Sequence, residues 1–173
     1  MTKTILKFVV LFVVLVLCQV IVFNHLVLWG VAVPLVFIYW ILKLPVTLNV
    51  NWTMTFAFLM GFLIDIFSDT RGMNSLACTI LAVARMPVLR LFFPREDDLT
   101  DPEPSIRSLG PAVYMKYLIS TVVLYCMVFF IVESMTFFNI SRLILCITGS
   151  SILTFILILA LDSLTSKKRE KRL

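Results

Sequence analysis

Apolar residues fall in six blocks, at 5–23, 26–42, 52–67, 73–93, 112–132 and 142–161, separated by short stretches richer in polar residues except for one longer connection between the fourth and fifth. Each block approaches the roughly 20 residues that carry an α-helix across hydrocarbon. The pattern predicts an all-α integral membrane protein with six transmembrane helices in one compact bundle. It forms a single domain over 1–166 followed by a basic tail at 167–173. The second block contains Gly30 and Pro34, so it is expected to be kinked, or folded against the first as a tight hairpin through Asn24 and His25. Pro87 interrupts the fourth block, and its ring displaces the carbonyl of Val83.

Composition agrees with this pattern. The hydrophobic fraction is 61% and the mean hydropathy +1.04, far above a soluble domain, and charge is confined to patches between the apolar blocks. Residues 8–23 run on without a small-residue cleavage pattern, so the first block reads as a retained helix rather than a removed signal. Cys18, Cys78, Cys126 and Cys146 lie inside apolar blocks with no Cys-x-x-Cys pair, and read as small buried hydrophobes rather than metal ligands.

Orientation follows from the cations. With six spans and the N-terminus in the cytoplasm, the inner side holds Lys3, Lys7, Lys43, Arg85, Arg90, Arg95, Arg107, Lys116, Lys167, Lys168, Arg169, Lys171 and Arg172, and the outer side Arg71 and Arg142. The positive-inside rule therefore places both termini in the cytoplasm, whereas five spans would put the basic tail outside. The longest connection, 94–110, mixes Arg95, Glu96, Asp97, Asp98, Asp101, Glu103 and Arg107 with three prolines. It reads equally as a cytoplasmic contact surface or as a linker between two helix ends. The tail suits anionic headgroups rather than nucleic acid.

Chemistry is sparse. An ionised carboxylate in hydrocarbon is costly, so Asp65 is the first residue to explain. Gly61 and Asp65 are four apart and share a helix face, with Asp69 one turn on; a glycine there lets a neighbouring backbone approach closely. Gly72 can take a positive φ and turn the chain sharply, with Asn74 or Ser75 as candidate caps of the next helix. Asp65 is accordingly expected to hydrogen-bond a neighbouring helix or the amides around 72–75. Arg85 and Arg90 lie about 18 and 25 Å along the fourth helix. Arg90 can snorkel to headgroups, whereas Arg85 needs a long snorkel or a partner, and Asp162 sits at a compatible depth.

No catalytic set emerges. His25, the single histidine, falls in a predicted outer loop, and Ser150 and Ser151 after Gly149 form a small-residue patch without a Gly-x-Ser-x-Gly elbow. Asp65 and Asp69 share one helix, whereas an intramembrane acid dyad needs carboxylates from facing elements. Walker, dinucleotide and His/Cys metal patterns are absent from the sequence, and no cofactor is expected.

Chain size, six apolar spans, the segment Gly61-Phe62-Leu63-Ile64-Asp65 followed by Gly72-Met73-Asn74, and the run from Arg85-Met86-Pro87 through Arg90 to Arg95 together resemble the rod shape-determining protein MreD family. The resemblance implies a scaffold in the bacterial inner membrane. Its partners would be the bitopic protein MreC, the MreB filament, and a RodA-type glycosyltransferase with its transpeptidase, acting in lateral peptidoglycan synthesis. It also implies a fold similar to the S-components of energy-coupling-factor transporters, and hence an alternative function as a vitamin-binding subunit. Polar residues on the predicted outer side are few, namely Asn24, His25, Asp69, Arg71, Glu133 and Asn139, and no alanine-rich coupling motif is visible, which favours the scaffold. The residues singled out are Gly61, Asp65, Gly72, Asn74, Arg85 and Arg90.

Overall fold

The computed structural model describes residues 2–26, 32–93, 103–134 and 139–170, and for 2–5, 25, 107 and 165–170 the backbone alone. Within these the chain is helical, in the order α1 (Thr2–Ile21), α2 (Ile38–Lys43), α3 (Val50–Ser68), α4 (Met73–Phe92), α5 (Ile106–Leu109), α6 (Pro111–Ser134) and α7 (Ile140–Glu170). By length and composition α3, α4, α6 and the Ile140–Leu164 part of α7 can each cross a membrane, and α1 adds a shorter apolar run, Leu6–Ile21. The molecule is a multi-pass membrane protein.

α3 and α4 form an antiparallel hairpin, α6 packs on α4, and α7 packs on α6. Large apolar side chains cover the outside: Leu6, Val13 and Leu17 on α1, Trp52, Leu59 and Ile66 on α3, and Ile144, Ile152 and Ile156 on α7 are all exposed. In water such a surface would aggregate; in lipid it is the solvated face. The first, third, fourth, fifth and sixth predicted spans correspond to α1, α3, α4, α6 and α7, with ends shifted by a few residues. The exception is α7, which runs on to Glu170, so its helix takes in residues 167–170 of the basic tail. α4 stays helical through Pro87. Of the predicted loop at 94–110, residues 94–102 fall outside the described part. The remainder is ordered by Ser105, whose hydroxyl accepts from the Ser108 amide and starts α5.

The second predicted span, 26–42, is corrected. A turn of 3₁₀ helix at Phe23–His25 follows α1, residues 32–37 are non-helical, and helix begins only at Ile38. Pro34 lacks an amide hydrogen and disfavours helical geometry at Val33. Backbone outside a helix at membrane depth still needs hydrogen-bond partners, and neighbouring side chains supply them. The amides of Val33, Leu35 and Val36 donate to Ser150 Oγ at 3.0 Å, Thr154 Oγ1 at 3.0 Å and Gln19 Oε1 at 3.1 Å, and Gln19 Nε2 donates to the Pro34 carbonyl at 2.9 Å. Ser150 and Thr154 are four apart on one face of α7, and at neighbouring Gly149 an added Cβ would lie 3.3 Å from Ala32 Cβ. The serine patch of the sequence is therefore a cradle for unwound backbone. All six residues of α2 are buried.

Candidate functional site

Two buried polar clusters lie at opposite ends of the bundle. One is built on the α3–α4 turn. Asp65, 5% exposed, accepts at Oδ1 from Thr70 Oγ1 at 2.5 Å and from the amide and Nδ2 of Asn74, both at 3.0 Å. At Oδ2 it accepts from the Ser75 amide at 2.8 Å and from Ser75 Oγ at 2.5 Å. The first turn of α4 has amides with no intrahelical acceptor, and its N-cap, Gly72, supplies no side chain. A carboxylate from the preceding helix fills that role, placing negative charge at the positive end of the α4 dipole. Asn74 and Ser75, expected as caps, are thus the capped residues. Tyr125 on α6 donates to Asn74 Oδ1 at 2.9 Å, which ties a third helix to the network.

Gly61 explains how the helices come close enough. A Cβ built there would lie 2.6 Å from Asn74 O and 2.6 Å from Ser75 Cα, both backbone atoms, so any side chain must push α3 and α4 apart. Gly72 has different work: nothing lies within 4 Å of a Cβ built on it, but its φ of +77° is the left-handed turn into α4. Asp69, at φ 53° and exposed, ends α3, and the amide of Thr70 donates to the Asp65 carbonyl at 3.1 Å. The structure therefore joins Gly61, Asp65, Gly72 and Asn74 in one hairpin.

Arg85 and Arg90 lie elsewhere, toward the other end of α4. Arg90 is exposed in its last turn, as a snorkelling residue should be. Arg85 is 1% exposed and does not snorkel; its guanidinium donates to the Leu44 carbonyl just beyond α2. Asp162 is not its partner. Lys43 Nζ lies 2.6 Å from Asp162 Oδ1, the Tyr39 hydroxyl donates to the same oxygen at 3.0 Å, and Lys43 also donates to the Pro104 carbonyl at 3.0 Å. The rings of Tyr114 and Tyr39 stand 5.1 and 5.5 Å from the ammonium. This second cluster gathers α2, α4, α6 and α7, with Pro104 closing it and Lys7 holding adjacent Glu103 at 3.1 Å.

From the sequence Lys43 stood only among the inner cations and Ser150 only in a small-residue patch, and Gln19, Tyr39 and Thr154 were not singled out. A usable signal was present for Lys43: it ends an apolar block, and Asp162 is an acid near the inner end of another. Among the described residues no group of three or more His, Cys, Asp or Glu side chains is placed to hold a metal ion. Comparison of the chain with protein-family models, with curated proteins and with solved structures gives no significant match.

Proposed function

We propose that the chain is a non-catalytic scaffold of the bacterial cell-elongation machinery, of the MreD type. As such it sits in the cytoplasmic membrane with both termini inside. It binds MreC and helps organise the MreB filament, the RodA-type glycosyltransferase and its transpeptidase around lateral peptidoglycan synthesis. The observation that carries this reading is the state of Asp65. The segment on which the resemblance rests forms a rigid hairpin whose buried acid spends both carboxylate oxygens on protein donors. A carboxylate so occupied is a structural member rather than a poised acid or base. The lipid-facing apolar helix surfaces suit lateral association within a membrane.

Affinity purification from native membranes tests the reading. Recovery of MreC with the elongation synthases supports it, whereas recovery of a coupling-factor ATPase pair replaces it with the vitamin-transporter alternative. Depletion in a rod-shaped host should round the cells; unchanged width and unchanged incorporation of wall precursor would count against a role in elongation.

A further inference from the structure

A six-residue helix such as α2 closes few hydrogen bonds of its own, so its place is fixed by what grips its ends. At one end Phe37, the residue before α2, meets the ring of Tyr125 edge-on with centroids 5.8 Å apart. The hydroxyl of the same tyrosine donates to Asn74 Oδ1 at 2.9 Å, and Asn74 donates to Asp65 through its amide and Nδ2. At the other end Lys43 pairs with Asp162, donates to the Pro104 carbonyl, and stands 5.1 Å from the ring centroid of Tyr114. Pro104 directly precedes Ser105, whose hydroxyl caps α5.

Tyr114 and Tyr125 both belong to the buried residues of α6. Phe37 beside Tyr125 and Lys43 beside Tyr114 lay α2 antiparallel to α6, reaching from one polar cluster to the other. A continuous series of buried contacts therefore joins the α3–α4 turn to α5. Close-packed side chains pass a displacement to their neighbours, because there is no slack to absorb it. The segment before α2 supplies the joint that can give. Its amides at Val33, Leu35 and Val36 are held by side chains of α1 and α7, and such bonds exchange without unwinding a helix.

We propose that α2 couples the two polar clusters: loosening Asn74 at the α3–α4 turn loosens α5 at the opposite end of the bundle, and loosening the Lys43 cluster loosens the turn. Coupling between two sites is reciprocal, so both directions are required. The proposal does not depend on the scaffold reading.

The test is hydrogen exchange of the purified full-length protein in detergent, which reads local opening at each end separately. Tyr125→Phe removes the hydroxyl bonded to Asn74 and keeps the ring against Phe37. It should speed exchange of the Ser108 and Leu109 amides by about fivefold or more, the low end of couplings between sites, while residues 57–61 of α3 keep wild-type rates. Tyr39→Phe takes one donor from Asp162, and should speed exchange of the Asn74 and Ser75 amides in the same way. Phe37→Leu replaces the ring that joins α2 to Tyr125, and in that background Tyr125→Phe should no longer reach Ser108 and Leu109. If Phe37→Leu fails to accumulate, the two tyrosine variants still decide by reciprocity. Changes confined to the mutated end would overturn the coupling. So would equal acceleration at 57–61, which is general destabilisation, or a Tyr125→Phe effect that survives Phe37→Leu.

Discussion

Asp65 shows how a residue that is expensive in hydrocarbon becomes a fixed part of a membrane fold. Its carboxylate is surrounded by donors, and two of them are helix-start amides that no other group on α4 can satisfy. Asp65→Ala leaves those amides and the Ser75 hydroxyl unpaired, and should cost about 1–3 kcal/mol, seen as a lower melting temperature in detergent and less folded protein in the membrane. Gly61→Leu should be at least as harmful, because its Cβ alone meets backbone at 2.6 Å. Asp69→Ala, at an exposed helix end, should melt close to wild type. Normal accumulation and melting of Asp65→Ala would reduce the residue to an interfacial acid. Much of this was legible, because a glycine and an acid four apart on a helix must share a face. The donor atoms were not, because they depend on how the chain turns at Gly72.

At the scale of elements, α2 and the non-helical stretch before it are the unusual part of the molecule. A span that would be one hydrophobic helix by pattern is half unwound, and its backbone is satisfied by Gln19 from one side and Ser150 and Thr154 from the other. Gln19→Leu, or Ser150→Ala with Thr154→Val, removes acceptors from buried amides, at about 1–3 kcal/mol for each group left unpaired. Hydrogen exchange at 33–36 should accelerate in these variants while that of α3 changes little; uniform protection across both would argue that the cradle is dispensable. The far end of α2 is anchored by Lys43 and Asp162. Breaking that buried pair from one side strands a charge, so Lys43→Met or Asp162→Leu alone should cost about 3–5 kcal/mol, and the double variant should recover much of the loss. Strictly additive losses would show that the two residues act independently. Hydrophobic periodicity could not reveal this arrangement, since apolar side chains are equally buried along a helix and along an extended segment within the core.

For the whole molecule, contacts set which ends lie together. Lys7 with Glu103, Trp40 with the Phe8 carbonyl, and Lys43 with Asp162 place the start of α1, the end of α2, the approach to α5 and the late part of α7 at one end. Asn24 with Ser68, at 2.5 Å, and the Asp65 network mark the other. Reporter fusions after Lys168 and in the turn at 69–71 should therefore report opposite compartments, with the fusion after Lys168 cytoplasmic; the same compartment for both would exclude this topology. Membrane residence, the number of apolar blocks, the asymmetry of lysine and arginine, and the shared face of Gly61 and Asp65 were determined by sequence alone. Each depends on composition or on spacing along one helix. Tertiary structure decided the rest: that Asp65 caps α4, that the second block unwinds onto Gln19, Ser150 and Thr154, and that Asp162 takes Lys43 while Arg85 turns to a carbonyl. These are choices among polar partners on different helices. Such choices depend on depth and rotation within the bundle, which packing sets and a linear pattern does not encode.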